Sequence, residues 1–127
     1  MIVGLGVDAV DIARVDQLIA RHRDRVVSRL FTKREAAYAC SRPDPIRHYA
    51  ARLAAKEAAY KALAGNDLAR SIGWREIEVV PSGDGSPTLA LHGRAARRAT
   101  EIGAGRVWVS LTHSDSSAVA VVIIEAP

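Results

Sequence analysis

Cysteine is almost missing from this chain, which has a single one, Cys40, among its 127 residues. One thiol excludes an internal disulfide and a cysteine-rich zinc site. A lone cysteine is more often a small packed side chain than a catalytic thiol, so we expect Cys40 to be buried or half-buried. His22, His48 and His92 share no metal-ligand spacing, and we expect them to be surface or hydrogen-bonded residues.

Aromatic residues are also scarce, at 5% of the chain. This scarcity argues against a module for single-stranded nucleic acid, because such modules stack bases on exposed rings. No apolar run reaches the length of a membrane span, and residues 119–124 are instead expected to form a buried strand. Met1 leads directly into a glycine-spaced strand without a basic leader, so we expect a cytoplasmic protein with no membrane partner.

The remaining composition is that of a folded domain. Apolar residues make up 49% of the chain, and 127 residues are enough for one domain with its own core, spanning 1–127. The formal net charge is +4. A positive balance favours acidic partners without specifying them.

The chain opens with a strand over Met1 to Val7. Alternation places Val3, Leu5 and Val7 on one face, and Gly4, Gly6 and Asp8 on the other. The glycines leave the second face empty next to an acid. Such a space fits either a ligand or the close approach of another backbone.

An alanine-rich stretch, Arg52 to Ala64, predicts a helix that ends near residues 65–66. Glu57 and Lys61 are four residues apart and therefore lie on the same face of this helix. They are either a surface ion pair or a site for a metal and an anion. Lys56 points about a quarter-turn away, where it contacts phosphate or water.

Capping signals place the other helices. Asp11 is expected to cap a helix from Ile12 to Leu30, and Thr32 with Glu35 forms a capping box for a short helix after Phe31. Three arginines of the first helix lie near a line along its surface that differs from its apolar stripe. They are Arg14, Arg21 and Arg25.

The second half of the chain alternates between strands and turns. We expect a hairpin of strands around residues 77–79 and 89–91, a helix over 94–102, and two further strands at 107–111 and 118–124. Asp115 is expected to be a turn residue between the last two. Helices combined with antiparallel hairpins predict an α+β fold, with an antiparallel sheet and packed helices.

Several motifs occur in an order that resembles a known family. They are G-L-G-V-D-A-V-D-I-A-R, F-T-K-R-E, A-A-R-L-A-A-K-E-A-A-Y-K-A-L, W-R-E-I-E-V, G-S-P-T-L-A-L and V-S-L-T-H-S-D-S-S-A-V-A-V-V. Together they resemble the holo-acyl-carrier-protein synthases, the small group of 4′-phosphopantetheinyl transferases. The resemblance implies a small α+β subunit, a homotrimer, and coenzyme A bound in clefts between subunits. It also implies the transfer of 4′-phosphopantetheine from coenzyme A to a serine of an apo acyl carrier protein, with release of adenosine 3′,5′-bisphosphate.

The same resemblance implies roles for particular residues. Asp8 and Glu57 correspond to the magnesium ligands, Lys61 to a residue near the pyrophosphate, and His113 to a residue close to coenzyme A. The first helix, with Arg14, Arg21 and Arg25, resembles the surface that receives the acidic carrier protein. Arg52 is a further candidate for a coenzyme A phosphate, because a guanidinium suits phosphate oxygens.

These residue types fit the implied chemistry. Magnesium takes one or two carboxylates and completes its shell with phosphate oxygens and water. Phosphoryl transfer requires mainly positioning and charge stabilisation, which a metal and a lysine supply. The serine proton goes to Glu57 directly or by way of a metal-bound water, and both routes stay open.

A basic RNA-binding module on an α+β scaffold is the alternative. Asp8 and Glu57 argue against it, because carboxylates in a phosphate-binding groove repel nucleic acid. We therefore expect no nucleic-acid partner. Whether the carrier serves fatty-acid or polyketide synthesis, and whether acylated coenzyme A is accepted, is left open by the sequence.

Overall fold

A computed structural model describes all residues from 1 to 127. Five strands and five helices follow one another along the chain. They are β1 (Ile2–Asp11), α1 (Ile12–Leu30), α2 (Lys33–Cys40), α3 (Pro45–Ala62), α4 (Asp67–Arg70), β2 (Ile77–Pro81), β3 (Pro87–Leu91), α5 (Gly93–Glu101), β4 (Arg106–His113) and β5 (Ser117–Glu125). A short 3-10 turn, Trp74–Glu76, precedes β2.

Two antiparallel sheets organise the strands. β5 lies between β1 and β4 in a three-stranded sheet, and β2 pairs with β3 in a separate hairpin. The hairpin predicted around residues 77–91 is present, with Val79 opposite Leu89. The predicted α+β class, with an antiparallel sheet and packed helices, is confirmed.

Helix α3 packs across the inner face of the three-stranded sheet. Its alanines are buried, and Gly4 and Gly6 of β1 lie directly beneath it. A Cβ atom on Gly4 would come within 2.4 Å of the Ala62 carbonyl oxygen, and one on Gly6 within 1.9 Å of that of Ala58. The empty face of β1 therefore receives the backbone of a helix, which decides between the two alternatives left open by the sequence.

Strand β1 is longer than the sequence indicated. Its pairing with β5 continues to Asp11, opposite Ser117, so that Asp8 lies inside the strand opposite Ala120. On the outer face of the sheet, Leu5 is 64% exposed and Val7 55% exposed. The single subunit thus presents an apolar surface to solvent.

The predicted first helix is present with its predicted cap. The Asp11 carboxylate accepts a hydrogen bond of 3.1 Å from the Ala13 amide. At His22 the backbone leaves the helical region, with φ −142° and ψ 43°, so α1 is kinked between Arg21 and Arg25. The three arginines predicted to share a line are therefore on two helical segments.

The capping box at the start of α2 is confirmed. The Glu35 amide donates to Thr32 Oγ1 over 3.2 Å, and the Thr32 amide donates to Glu35 Oε1 over 2.9 Å. The prediction for Cys40 was wrong, because this residue is the last of α2 and is exposed. Its Sγ lies 3.6 Å from the Tyr49 hydroxyl.

The end of α3 also differs from the expectation. The helix stops at Ala62 with Leu63 as its cap, and Asn66 instead caps the short α4 through the Ala69 amide. Gly65, with φ 139°, turns the chain between the two. None of the helices is both long enough and apolar enough to cross a membrane.

Candidate functional site

The backbone contact between β1 and α3 brings the two predicted acids together. Lys61 donates 2.9 Å to Asp8 Oδ1 and 3.0 Å to the Val7 carbonyl oxygen. The lysine thus pairs with the strand acid rather than with Glu57, one turn earlier in its own helix. This places Asp8, Glu57 and Lys61 in one cluster, the carboxylate site.

Glu57 holds its proton unusually tightly. Burial, the hydrogen bond that its carboxyl group makes to Asp8, and the negative charge of Asp8 raise the pKa of Glu57 to about 7, against the opposing charges of Lys61 and Arg14. Burial would also raise the pKa of Asp8, but hydrogen bonds to Glu57 and Lys61 and the lysine charge lower it. Near neutral pH this pair of acids is therefore close to sharing a single proton.

When Glu57 is ionised, one oxygen of the carboxylate site has no donor. Asp8 Oδ2 is buried and has no hydrogen-bond partner. A buried carboxylate oxygen without a donor is costly, and a cation is the group that would relieve both it and the repulsion from Glu57. The residues present thus fit a hard divalent ion.

The donor set of the carboxylate site is small. No group of three or more histidine, cysteine, aspartate or glutamate side chains is arranged around a common point in the molecule. Two carboxylates do not make a protein cage for a metal. They do match a magnesium ion that takes the rest of its ligands from a phosphate-bearing substrate and water.

Lys56, next to Glu57 in sequence, is not in the carboxylate site. Its ammonium lies 2.7 Å from Glu35 Oε1, and both side chains are fully buried. It also donates to the carbonyl oxygens of Trp74, at 2.9 Å, and Ile77, at 2.5 Å. The sequence-based interpretation, contact with phosphate or water, was wrong for Lys56. The capping box had identified Glu35 as a capping residue of α2, but it did not indicate that Glu35 also pairs with Lys56.

The chain is similar to proteins that share this arrangement of strands and helices. Residues 4–122 match the sequence profile of the 4′-phosphopantetheinyl transferase superfamily. The holo-[acyl-carrier-protein] synthase of Geobacter sulfurreducens is 43% identical over 127 residues, which is the full length of both chains. The chain belongs to this superfamily.

Solved structures of acyl-carrier-protein synthases match the fold of this transferase. That of Mycobacterium tuberculosis is 37% identical, with a TM-score of 0.74 over all of both chains. That of Bacillus anthracis, in complex with coenzyme A (3′,5′-ADP), is 29% identical, with a TM-score of 0.79 over 100% of this chain and 99% of its own. The resemblance stated from the sequence is confirmed. So is the reaction: phosphopantetheine moves from coenzyme A to an apo acyl carrier protein.

Two predicted ligand residues of the transferase lie outside the carboxylate site. Arg52 precedes Glu57 by five residues, which turns it about 140° around α3. Its guanidinium stacks 4.1 Å from the centre of the Tyr38 ring. Arg52 is only 5% exposed, and its Nε has no hydrogen-bond partner.

His113 ends β4, opposite Ala118, whereas Asp8 lies two strands away in β1, opposite Ala120. His48, in the first turn of α3, packs edge-on against the same Tyr38 ring as Arg52. Burial, followed by the charges of Arg52 and Arg42, lowers the pKa of His48. Arg42, Arg52 and His48 all contact the Tyr38 ring and make a basic cluster, in which Arg52 Nε is an unused donor.

Arg14, Arg21 and Arg25 are all exposed on α1. Of these three arginines, Arg14 is the one that adjoins the carboxylate site, because it lines a cavity of about 260 Å³ together with Glu57, Leu18 and Trp74. Asp115 lies in the turn between β4 and β5, as expected, and accepts a hydrogen bond of 3.3 Å from Arg47.

Proposed function

We propose that this transferase binds magnesium and the pyrophosphate of coenzyme A at the carboxylate site. The observation that carries the proposal is the pair of facing carboxyl groups, in which the buried Asp8 Oδ2 has no donor once Glu57 is ionised. Asp8 and Glu57 would hold the ion, and Lys61 would turn from Asp8 to the phosphate oxygens. When bound, magnesium neutralises charge that develops on the transferred phosphate.

The residues of the chain then perform the rest of the reaction. Lys61 orients the pyrophosphate so that the serine oxygen of the carrier attacks the phosphorus bonded to the pantetheine oxygen. Glu57 accepts the serine proton, directly or through a water. The bond to the other phosphate breaks, and adenosine 3′,5′-bisphosphate leaves.

The basic cluster supports a shared site. Arg52 is turned about 140° from Glu57 around α3 and His113 ends β4, so one coenzyme A would reach Arg52, His113 and the carboxylate site most simply when two subunits meet. The guanidinium with an unpartnered Nε is suited to a phosphate of the same coenzyme A. The exposed apolar outer face, with Leu5, Val7 and Trp108, supplies a surface for assembly. We therefore propose a homotrimer with coenzyme A between neighbouring subunits.

The carrier protein would dock on α1. Exposed arginines suit an acidic partner, and Arg14 borders a cavity that leads to Glu57. We propose one domain, residues 1–127, acting in the cytoplasm on an acyl carrier protein, without a nucleic-acid or membrane partner.

A mass measurement tests the proposed site. An apo carrier protein incubated with the chain, coenzyme A and magnesium should gain one phosphopantetheine, and omission of magnesium should suppress the gain. Asp8→Asn should lose the response to magnesium. Equal rates with magnesium and with a chelator would exclude the metal role while leaving the transferase reaction intact.

Light scattering tests the assembly. The wild type should be an oligomer at micromolar concentration, and Leu5→Lys should shift it toward monomers by placing a charge on the outer face. The same variant should lose affinity for coenzyme A. A monomeric wild type with full activity would contradict the shared cleft.

A further inference from the structure

Lys56 is the only buried lysine of the chain, and all of its donors are used. An ammonium group has three hydrogens. Three oxygens surround its nitrogen: Glu35 Oε1 at 2.7 Å, the Trp74 carbonyl oxygen at 2.9 Å and the Ile77 carbonyl oxygen at 2.5 Å. The ion pair with Glu35 needs one of the three hydrogens. The other two join α3 to the chain from Trp74 to Ile77.

The segment that Lys56 holds is the 3-10 turn that leads into β2. Its other hydrogen bonds to the rest of the fold run to the start of α5. The Glu76 carbonyl oxygen accepts 2.8 Å from the His92 amide, and the Glu76 carboxylate accepts 2.8 Å from the Arg94 amide and pairs with the Arg94 guanidinium. The hydrogen bonds between this segment and α3 are those of Lys56. One side chain therefore bonds the turn to the helix that carries Glu57.

Trp74 is the residue of this turn that borders the carboxylate site. It lines the cavity of about 260 Å³ that Arg14 also lines, and a second cavity of about 340 Å³ that Lys56 lines. Glu57 lines both cavities. A group that reaches Glu57 through either one lies beside Trp74. At 37% exposed, Trp74 is not enclosed by the core, so the place of its side chain follows from the place of its backbone.

The anchor of this backbone lies one residue from Glu57. Lys56 and Glu57 are consecutive in α3, and the helix turns about 100° between them. One side chain is thereby directed inward to the Trp74 carbonyl oxygen, and the other is left half-exposed at the site. A single step of a rigid helix thus links Trp74 to Glu57.

We propose that Lys56 is a positioning residue, which holds Trp74 at a fixed distance from Glu57 and so orients the groups that react there. This inference rests on the proposed role of Glu57 in the transfer. Lys56 itself takes no proton and touches no substrate. A displaced Trp74 would leave the two carboxylates intact but loosen the orientation of the reacting groups, and a misplacement of about 1 Å can cost about a hundredfold in rate. Loss of Lys56 should therefore lower kcat more than it raises KM.

The test must separate positioning from stability, because Lys56→Met leaves a buried charge on Glu35. The double variant Glu35→Gln/Lys56→Met removes both charges and should be more stable than Lys56→Met. Glu35→Gln is the matched control, since it breaks the same ion pair and keeps the lysine. Burial already lowers the pKa of Lys56, and a neutral amine still has two hydrogens for the two carbonyl oxygens. Measured where both are folded, kcat of the double variant should be about tenfold or more below that of Glu35→Gln.

A spectroscopic signal reports the position of Trp74 without any reaction. The chain has two tryptophans, so labelling with 5-fluorotryptophan gives one ¹⁹F resonance for Trp74 and one for Trp108, assigned with Trp108→Phe. The Trp74 resonance should shift in the double variant and stay in place in Glu35→Gln, and that of Trp108 should stay in both. Failure of the proposed function would appear separately, as full activity of Glu57→Gln.

Two results would overturn the positioning role. One is an unshifted Trp74 resonance in the double variant, and the other is a kcat equal to that of Glu35→Gln. If no Lys56 variant folds, Trp74→Ala decides, because this partly exposed side chain can be truncated without emptying the core. Its kcat should be about tenfold or more below that of the wild type. A wild-type kcat for Trp74→Ala would show that the position of Trp74 does not matter to the transfer.

Discussion

Two glutamates of this transferase lie in opposite electrostatic surroundings. One of them, Glu35, pairs with Lys56. The other, Glu57, is the residue that follows Lys56 in α3. Glu35 is fully buried, yet it bonds Lys56, the Thr32 amide and the Val79 amide, the last over 2.8 Å. Glu57, next to Lys56, is half-exposed and faces another acid. The buried carboxylate is satisfied by the protein itself, and the more accessible one is not.

The difference separates what holds the fold from what performs the reaction. A buried ion pair with its remaining hydrogen bonds made is stable as it stands, and removing one partner leaves an uncompensated charge. Two facing carboxylates are unfavourable until a cation or proton arrives. The stable pair fixes α3 against β2, and the adjacent position on the same helix carries the group that needs a ligand.

Lys56→Met should break the satisfied pair and produce the largest effect. The charge left on Glu35 should lower the free energy of unfolding by about 3–5 kcal/mol in a denaturant titration. Lys61→Met is the matched control, with the same substitution on the same helix. Since the Lys61 side chain is 55% exposed and Asp8 can share a proton with Glu57, its loss should cost less than the loss of Lys56. Equal losses in the two variants would contradict the comparison.

Glu57→Gln should break the unsatisfied site without harming the fold. Losing a ligand that stabilises developing charge should reduce transfer about a hundredfold or more in the mass-based assay. Without magnesium at pH 8, the melting temperature should be unchanged or higher, because the repulsion from Asp8 is removed. Glu35→Gln is the counterpart and should lower the melting temperature. A Glu57→Gln protein that is active, or clearly less stable, would show that the roles are assigned wrongly.

The pH dependence of stability should sharpen the comparison further. The folded pKa of Glu57 is about 7, above the ordinary value of 4.5. Between these values the folded chain keeps a proton that the unfolded chain releases, so this contribution is complete below pH 4.5 and is lost as pH rises through 7. The difference in unfolding free energy, wild type minus Glu57→Gln, should therefore fall from pH 5 to pH 8 in the absence of magnesium. A flat difference would contradict the raised pKa.

Arg14→Glu, which reverses an exposed charge beside Glu57, should give the smallest effect. Reversal of this charge should raise the apparent KM for carrier protein several-fold at low salt and leave that for coenzyme A nearly unchanged. The defect should shrink as salt rises, because screening weakens the wild-type attraction as well. Arg25→Glu, beyond the kink, should matter less. Unaltered carrier kinetics for Arg14→Glu at low salt would remove α1 as the docking surface.

Local signals in the sequence predicted much of the fold. The Asp11 cap and the Thr32–Glu35 capping box depend on residues two or three apart, and both are present. The pairing of Asp8 with Lys61 joins distant segments. The sequence did not predict this pairing, although the family resemblance assigned both residues to one site.

Other features could not be predicted because they depend on what covers each face. Helix α3 is buried on nearly all sides, so its apolar pattern does not mark one inner face, and Lys56 gave no sign of lying inward. The exposure of Cys40 follows from its place at the end of α2. The end of β1 depends on how far β5 extends alongside it, which the alternation of residues in β1 alone does not reveal.

The close contact of β1 with α3 at Gly4 and Gly6 has a further consequence, for motion. No layer of side chains separates the two backbones there, so they cannot slide past each other by exchanging rotamers. Asp8 on the strand and Glu57 on the helix should keep their separation on timescales shorter than opening of the sheet itself, and the β1 amides that donate to β5 should be among the slowest to exchange with solvent. The two acids would then already be at their working distance when the substrates bind. The slow steps of the cycle would be the binding of substrates and the release of products.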